Sequence, residues 1–280
     1  MLLHYVGGKT RLLSEIEARM PLGSETLIDV FCGGGAVTTH FSKTHTVIAN
    51  DLSTSVITLY KTLQDNNPEM TLDYYLRSLE ASVATYNNCK DEEERKQLYL
   101  KGREKFNILL EKGATNPVLF TVINRSCFNG LMRFNKKGLF NAPFGAKKKL
   151  GDLPAQAIEF AESIEGVEFF NLDYEAFLYE VLKTVDKANT VIYLDPPYIS
   201  STPSGSEIKY SADGFDCERY IKILRELDAD GWKFMASNSY CEATLELFKD
   251  FQIDTVELHS TLAGSNKARK VIKEIIVKNY

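Results

Sequence analysis

Thr190-Val191-Ile192-Tyr193-Leu194-Asp195-Pro196-Pro197-Tyr198 is a run of five β-favouring residues closed by a carboxylate, two prolines and an aromatic ring. Thr, Val, Ile and Tyr favour extended chain. Proline has no N–H to give a sheet, so the strand has to stop there in a stiff turn. Open α/β sheets bind their ligands outside the carboxyl ends of the strands, which is where this order of residues puts Asp195, Pro196, Pro197 and Tyr198. The carboxylate and the carbonyl before a proline can both accept hydrogen bonds from one exocyclic amine, and the tyrosine offers a flat face for stacking. These four are the expected catalytic residues, arranged to hold an amino group on a planar heterocycle such as N6 of adenine. Taken alone, the tetrapeptide also reads as a Pro-Pro turn after a buried strand.

Outward from that strand the same rhythm repeats. Thr26-Leu27-Ile28-Asp29-Val30-Phe31 runs into Cys32-Gly33-Gly34-Gly35 and a helix from Ala36. Thr46-Val47-Ile48-Ala49 runs into Asn50-Asp51 and a helix that begins near Ser53, a residue type that caps helices well. Val167-Glu168-Phe169-Phe170 leads to Asn171-Leu172-Asp173 and a helix from about Tyr174. After the Asp195 strand come a helix near 217–228, the strand Lys233-Phe234-Met235-Ala236-Ser237, and two late runs, 255–258 and 271–277, expected to pair near an edge. Strands alternating with helices predict an α/β fold, a Rossmann-like doubly wound sheet. The stretch 56–165 breaks the rhythm: helices rich in Leu, Tyr and charge reach Lys112, and a basic aromatic segment follows. Asn135-Lys136-Lys137-Gly138 between aromatics reads as a hairpin turn. The predicted organisation is therefore one sheet domain, 1–55 and 166–280, with an inserted helical domain, 56–165, that carries a β-hairpin. The loop 199–215, rich in Ser and Gly, reads as a mobile lid.

At 280 residues the chain can bury a full core, and its 44% hydrophobic and 25% charged residues are ordinary for a soluble globular protein. No apolar run is long enough to cross a bilayer and the N-terminus lacks a secretory pattern, so the expected location is the cytoplasm. Five scattered cysteines without a C-x-x-C pair argue against structural zinc or a disulfide framework. The net charge of −5 speaks against a nucleic-acid partner until its distribution is read. From 125 to 149 stand seven basic residues (Arg125, Arg133, Lys136, Lys137, Lys147, Lys148, Lys149) and no acidic ones, with Phe128, Phe134, Phe140 and Phe144 among them. Steering depends on the local field, and a basic, aromatic, amide-rich segment is the pattern of a nucleic-acid surface. A solvated basic face is the alternative reading.

Gly33-Gly34-Gly35 between strand and helix is a poor dinucleotide fingerprint, because Thr38 stands where its third glycine belongs. Asp51 lies 18 positions after Gly33 at the next strand end, near the ~20 expected of a ribose-hydroxyl acceptor. Asp173, ending a third strand, could accept from an adenine amine. The three features together predict an adenosine cofactor without a pyrophosphate requirement, which S-adenosylmethionine satisfies. Tyr5-Val6-Gly7-Gly8-Lys9 adds a glycine pair and a cation, without the pattern of a P-loop.

With these residues laid out, the chain resembles the alpha group, or D12 class, of DNA adenine-N6 methyltransferases, the family of bacterial and phage GATC methylases. Tyr5-Val6-Gly7-Gly8-Lys9 is similar to that family's W-x-G-G-K motif, with Tyr5 in place of tryptophan. Asp29-Val30-Phe31-Cys32-Gly33-Gly34-Gly35 is similar to its cofactor loop and Asn50-Asp51 to its ribose-binding acid. The stretch 124–135 resembles its N-R-x-x-x-N-G-L-x-R-x-N segment, and 138–145 continues the match. The order of cofactor loop, target-recognition region and Asp-Pro-Pro-Tyr is the one that names the alpha group.

The resemblance implies cofactor contacts from Tyr5, Lys9, Asp51 and Asp195, with Gly7, Gly8, Asp29, Phe31, Gly33, Gly35 and Asp173 expected beside them. It implies DNA contacts from Asn129, Leu131, Arg133 and Pro143, with Arg133 reading guanine and Phe128 wedged beside an extruded base. Arg125, Asn135, Lys137, Asn141 and Lys147 complete the expected DNA face. The activity implied is site-specific methyl transfer from S-adenosylmethionine to N6 of a flipped adenine in duplex DNA. GATC is the expected target, although Ala146 and His4 stand where GATC enzymes carry arginine and lysine. Expected partners are duplex DNA and a cognate restriction endonuclease acting on the same site, with no membrane. Cys127 reads as packing, because amine methylation needs no cysteine nucleophile. The rivals are an RNA adenine or protein amide methyltransferase, a nucleotide-dependent oxidoreductase, and an inactive DNA-binding regulator on the same scaffold.

Overall fold

The computed structural model describes residues 1–5, 7–198, 215–259 and 271–280. Seven strands form one sheet: β1 (Thr26–Asp29), β2 (Thr46–Asn50), β3 (Glu168–Phe170), β4 (Thr190–Leu194), β5 (Lys233–Ser239), β6 (Gln252–His259) and β7 (Val271–Lys278), in the order β3-β2-β1-β4-β5-β7-β6. β2, β1, β4 and β5 run parallel, with Ile28 opposite both Ile48 and Ile192, and Ile192 opposite Phe234. All five residues of β4 are buried, as a parallel strand covered on both faces requires. Burying each of its Val, Ile and Leu side chains contributes about 1.5–3 kcal/mol. The order reverses between β1 and β4, so their carboxyl ends flank the switch point where such sheets take ligands. The two late runs do pair: β7 lies antiparallel to β5 and to β6.

The chain divides into two compact units, which differ from the boundaries drawn on the sequence: one is Met1–Thr10, Cys32–Lys43 and Asn50–Leu172, the other Arg11–Phe31, Thr44–Ala49 and Asp173–Tyr280. In the first unit the helices start where capping chemistry dictates. Thr71, Asp91 and Asn116 accept backbone N–H groups at the heads of Leu72–Asn87, Glu92–Glu111 and Pro117–Ser126. Glu92, Glu93 and Glu94 add charge to the positive end of the longest one. Ser53 departs from its expected part. Its side chain caps nothing at the head of Thr54–Leu63, while its backbone N–H is held by Asp51.

The segment 127–150 has almost no regular structure, so its backbone must be satisfied by side chains. The helices supply them. Tyr86 and Tyr99 donate to the carbonyls of Lys147 and Ala142, each at 2.7 Å. Asn107 exchanges two hydrogen bonds with Phe140, and Asn87 two with Leu150. The expected hairpin is a tight reversal with a single antiparallel bridge, Phe134 to Phe140, because Asn135 closes it with its own backbone and side chain. The proposed lid falls outside the described residues over 199–214. Among the described residues no helix is long and apolar enough to cross a membrane.

Candidate active site and nucleic-acid interface

In the first unit the glycine loop is built around Tyr5 and Asp51. Gly33 and Gly34 lie against the tyrosine: a Cβ on Gly33 would stand 3.2 Å from the Tyr5 ring, and one on Gly34 only 2.9 Å from the Tyr5 Cβ. Gly33 also has a φ of +47°, which disfavours any side chain. The Tyr60 hydroxyl donates to the Gly33 carbonyl at 2.6 Å. The Gly33 N–H donates to Asp51 Oδ2 at 2.9 Å, and the Ser53 N–H to Asp51 Oδ1 at 2.8 Å. Burial pushes the Asp51 carboxyl up, against the opposing pull of those two N–H groups. Burial likewise raises the Tyr5 hydroxyl, with the Asp51 charge adding to it. Lys9 is buried, and its ammonium donates to the Gly7 carbonyl at 2.7 Å.

The basic segment belongs to the same unit. Phe128 is half exposed, and Arg133, Asn135 and Lys137 are exposed. Arg133 is aimed by its neighbour: its Nε donates to Asn141 Oδ1 at 2.8 Å and its Nη2 to the Asn141 carbonyl at 2.9 Å. Phe128 N–H donates to the carbonyl of Pro143, itself exposed. Gly145 is required here, since a Cβ would lie 2.4 Å from the Cys127 carbonyl oxygen. Asn129 adopts a left-handed φ of +52° that an amide side chain tolerates, beside the partly buried Leu131.

Two of the expected contacts point into the protein. Arg125 donates to the carbonyls of Met1 and Leu2 and to Gln156. Lys147 donates to His4 Nδ1 at 3.1 Å. Burial, then Arg125 and Lys147, hold the His4 pKa down at about 4, so its neutral ring can accept that bond. His4 also exchanges backbone hydrogen bonds with the Asn124 amide, at 2.8 and 2.7 Å.

In the second unit the ends of β1 and β4 lie side by side, and the Val30 N–H donates to the Tyr193 carbonyl at 3.0 Å. Asp195 follows β4 and accepts from the Ser237 hydroxyl of β5 at 2.9 Å. Tyr198 donates to Glu274 of β7. Burial pushes the Tyr198 hydroxyl far up, and the charges of Asp195 and Glu274 add to that. Pro196 is buried and Pro197 exposed.

Asp29, at the end of β1, is buried. Phe31 packs against Tyr174 with ring centroids 5.4 Å apart, in a cluster with Phe215 and Tyr220. Asp173 caps Tyr174–Val181 through the Glu175 N–H and takes both arms of the Arg219 guanidinium. Burial raises its carboxyl, but the Arg219 hydrogen bonds win and hold it below the ordinary carboxylate range. Arg219 also binds Glu175 and lies 4.7 Å over the Tyr174 ring.

A sequence model of the D12 class N6 adenine-specific DNA methyltransferases matches residues 5–262. The chain belongs to that family. Its relatives include the Type II methyltransferase M.MjaIII of Methanocaldococcus jannaschii, 31% identical over 99% of this chain and 98% of that protein. The DNA adenine methylase of Escherichia coli K12 is 28% identical over 98% of this chain and 93% of that protein. That of Vibrio cholerae is 29% identical over 98% and 94%.

Within this D12-class chain, Tyr5, Gly33 and Asp51 form one cluster, and Arg133, Asn135 and Asn141 share one reversal. The residues that reading the sequence missed are mostly supports: Ser237, Glu274, Arg219, Tyr60 and Asn107. No local pattern marks them, because each acts on a partner at least 27 positions away.

Proposed function

We propose that the chain transfers a methyl group from S-adenosylmethionine to N6 of an adenine flipped out of duplex DNA, with GATC as the target. The observation that carries the reading is a strand-end carboxylate, Asp195, fixed by a hydroxyl from the next strand and followed by a tyrosine fixed by Glu274. Family membership supports the substrate class. The cofactor fits the residues present. Gly33 and Gly34 form a loop that carries no side chains, and Asp51 places a carboxylate at the end of β2 for a ribose diol. Tyr5, Gly7, Gly8, Lys9, Asp29, Phe31 and Gly35 would complete that side. When bound, the cofactor supplies an electrophilic methyl group on a sulfonium.

The chain's own residues deal with a poor nucleophile. The N6 lone pair of adenine is delocalised into the ring, and extrusion from the helix exposes the amine. Asp195 and the Pro196 carbonyl accept its two N–H bonds in the geometry that favours a pyramidal nitrogen. The Tyr198 ring stacks on the base and limits its tilt, so binding energy is spent on orientation. The nitrogen is cationic and acidic once methylated, and would release one proton to solvent. Cys127 takes no part: it is buried, and burial pushes its thiol up, away from the reactive thiolate.

At the DNA, Arg133 reads a base edge, Phe128 fills the space beside the extruded adenine, and Asn129, Leu131, Asn135, Lys137, Asn141 and Pro143 line the contact. Arg125 and Lys147 act there through the segments that they hold. Asp173, bound by Arg219 beside the Tyr174 ring, would stand on the cofactor's adenine side. The name of the Methanocaldococcus relative supports a cognate endonuclease as partner in a restriction system. The test is incorporation of labelled methyl from S-adenosylmethionine into adenine-unmethylated duplex DNA, mapped by sequencing that detects N6-methyladenine. Methylation confined to GATC supports the whole reading, methylation at another motif moves the target, and incorporation into RNA or protein alone rejects it.

A further inference from the structure

Ser237 and Tyr193 are polar residues in the middle of the sheet, both essentially inaccessible to solvent. Alanine and phenylalanine would fill the same positions without polar atoms to satisfy, and buried hydroxyls cost stability unless they are hydrogen-bonded. Here their hydrogen bonds form a chain that leads to one place. The Tyr193 hydroxyl lies 2.8 Å from Ser237 Oγ, and Ser237 Oγ lies 2.9 Å from Asp195 Oδ1. A serine hydroxyl has a single hydrogen, and the carboxylate can only accept. Ser237 therefore donates to Asp195 and Tyr193 donates to Ser237. One buried hydroxyl thus joins Tyr193 to the carboxylate that opens the Asp195-Pro196-Pro197-Tyr198 turn.

We infer that Ser237, backed by Tyr193, is a positioning residue that locks the carboxylate of Asp195 in the rotamer needed to accept from the target amine; this rests on the proposed amine methylation. Ser237 is hydrogen-bonded from behind, so its hydroxyl cannot swing away from Asp195 without leaving Tyr193 unpaired. The hydrogen bond that orients the carboxylate in this chain comes from a neutral hydroxyl. It also explains why β4 carries Tyr at 193 within a run of aliphatic residues.

The test is single-turnover methyl transfer by Ser237→Ala, Tyr193→Phe and the double variant, beside wild type. Misplacing a reacting group by a fraction of an ångström predicts a rate lower by about 10–100-fold for Ser237→Ala and about 3–10-fold for Tyr193→Phe, with KM for DNA and cofactor nearly unchanged. Because Tyr193 acts through Ser237, the double variant should be no slower than Ser237→Ala. Ser237→Thr, which keeps the hydroxyl, should recover most of the rate. Wild-type rates in the single variants, or losses that multiply in the double, overturn the proposal. If Ser237→Ala does not fold, Tyr193→Phe carries the test, since it keeps the ring. A readout independent of activity is the 13C titration of the Asp195 side-chain carboxyl, assigned with Asp195→Asn. Losing a donor to the charged form should raise its midpoint by about one pH unit in Ser237→Ala. An unmoved midpoint rejects the proposal even if the wild type transfers nothing to DNA, whereas a shifted midpoint in such a protein would retain the positioning role and reject only the DNA reading.

Discussion

Asp195 and Asp173 both follow strands, both stand in the second unit, and both receive hydrogen bonds from a neighbouring element, yet Asp173 accepts from a cation and Asp195 accepts from a neutral hydroxyl. Asp173 is gripped by the Arg219 guanidinium, which also ties down Glu175 and covers Tyr174. Asp195 is held by the neutral hydroxyl of Ser237. A hydrogen bond from a cation also offsets the charge of a carboxylate, while one from a neutral hydroxyl fixes its direction without adding a countercharge. The same division separates two arginines in the first unit. Arg125 is consumed by the carbonyls of Met1 and Leu2, and Arg133 is exposed and only steadied by Asn141. Residues that look alike in the sequence differ in what their partners leave over.

The sharpest way to break the first contrast is to remove the two carboxylates in turn. Asp195→Ala should lower methyl transfer by ~1,000-fold or more, as expected for loss of a group that acts on the transition state, while gel-shift affinity for duplex DNA persists. A variant within tenfold of wild type would mean that Asp195 is not the amine acceptor. The second contrast is tested by Arg133→Ala, which should cost about 1–3 kcal/mol at one base position and relax specificity there. A uniform loss across sequences would make Arg133 a phosphate contact instead.

A smaller effect is expected for the lysine run. Replacing Lys147, Lys148 and Lys149 by glutamine should reduce the salt slope of DNA binding by about 1–3. Most of that change should come from the exposed Lys148 and Lys149, since Lys147 is engaged by His4. An unchanged slope would take this patch off the DNA.

Asp173→Asn should have the smallest effect. The pair is more than a third exposed on both sides, so its contribution is screened to about 1 kcal/mol or less. Its folded carboxyl titrates below the ordinary 3.8, so this stabilisation is present above that pH and fades as pH falls through the lower folded value. Melting curves of wild type and variant should therefore differ at pH 7 and converge below about pH 4. A gap that persists in acid would assign the effect to something other than the ion pair.

The strands β1, β2 and β4 were legible because each is a run rich in β-branched residues that closes on an aspartate: Asp29, Asp51 or Asp195. Those end residues, with the glycines and prolines after them, announced the glycine loop and the Asp195 turn. The helix starts at Cys217 and Tyr174 fell where the pattern put them, since Asp216 and Asp173 cap them. The supports were not legible. Ser237 sits in a strand where its hydroxyl gives no local signal, and Arg219 is one charge among several on an amphipathic helix. Tyr86 and Tyr99 lie in a helical stretch rich in Leu, Tyr and charge where nothing singles them out, yet each spends its hydroxyl on a backbone carbonyl 61 or 43 positions away. The irregular course of 127–150 was likewise out of reach, because it is determined by these remote donors rather than by its own propensities.

The central claim, that the Asp195 turn methylates an adenine amine in duplex DNA, is tested most directly by methyl transfer into unmethylated DNA by wild type and by Asp195→Ala side by side. The account predicts N6-methyladenine at one short recurring motif with the wild type and none with the variant. Wild-type protein that binds S-adenosylmethionine and duplex DNA but leaves every adenine unmodified would contradict it.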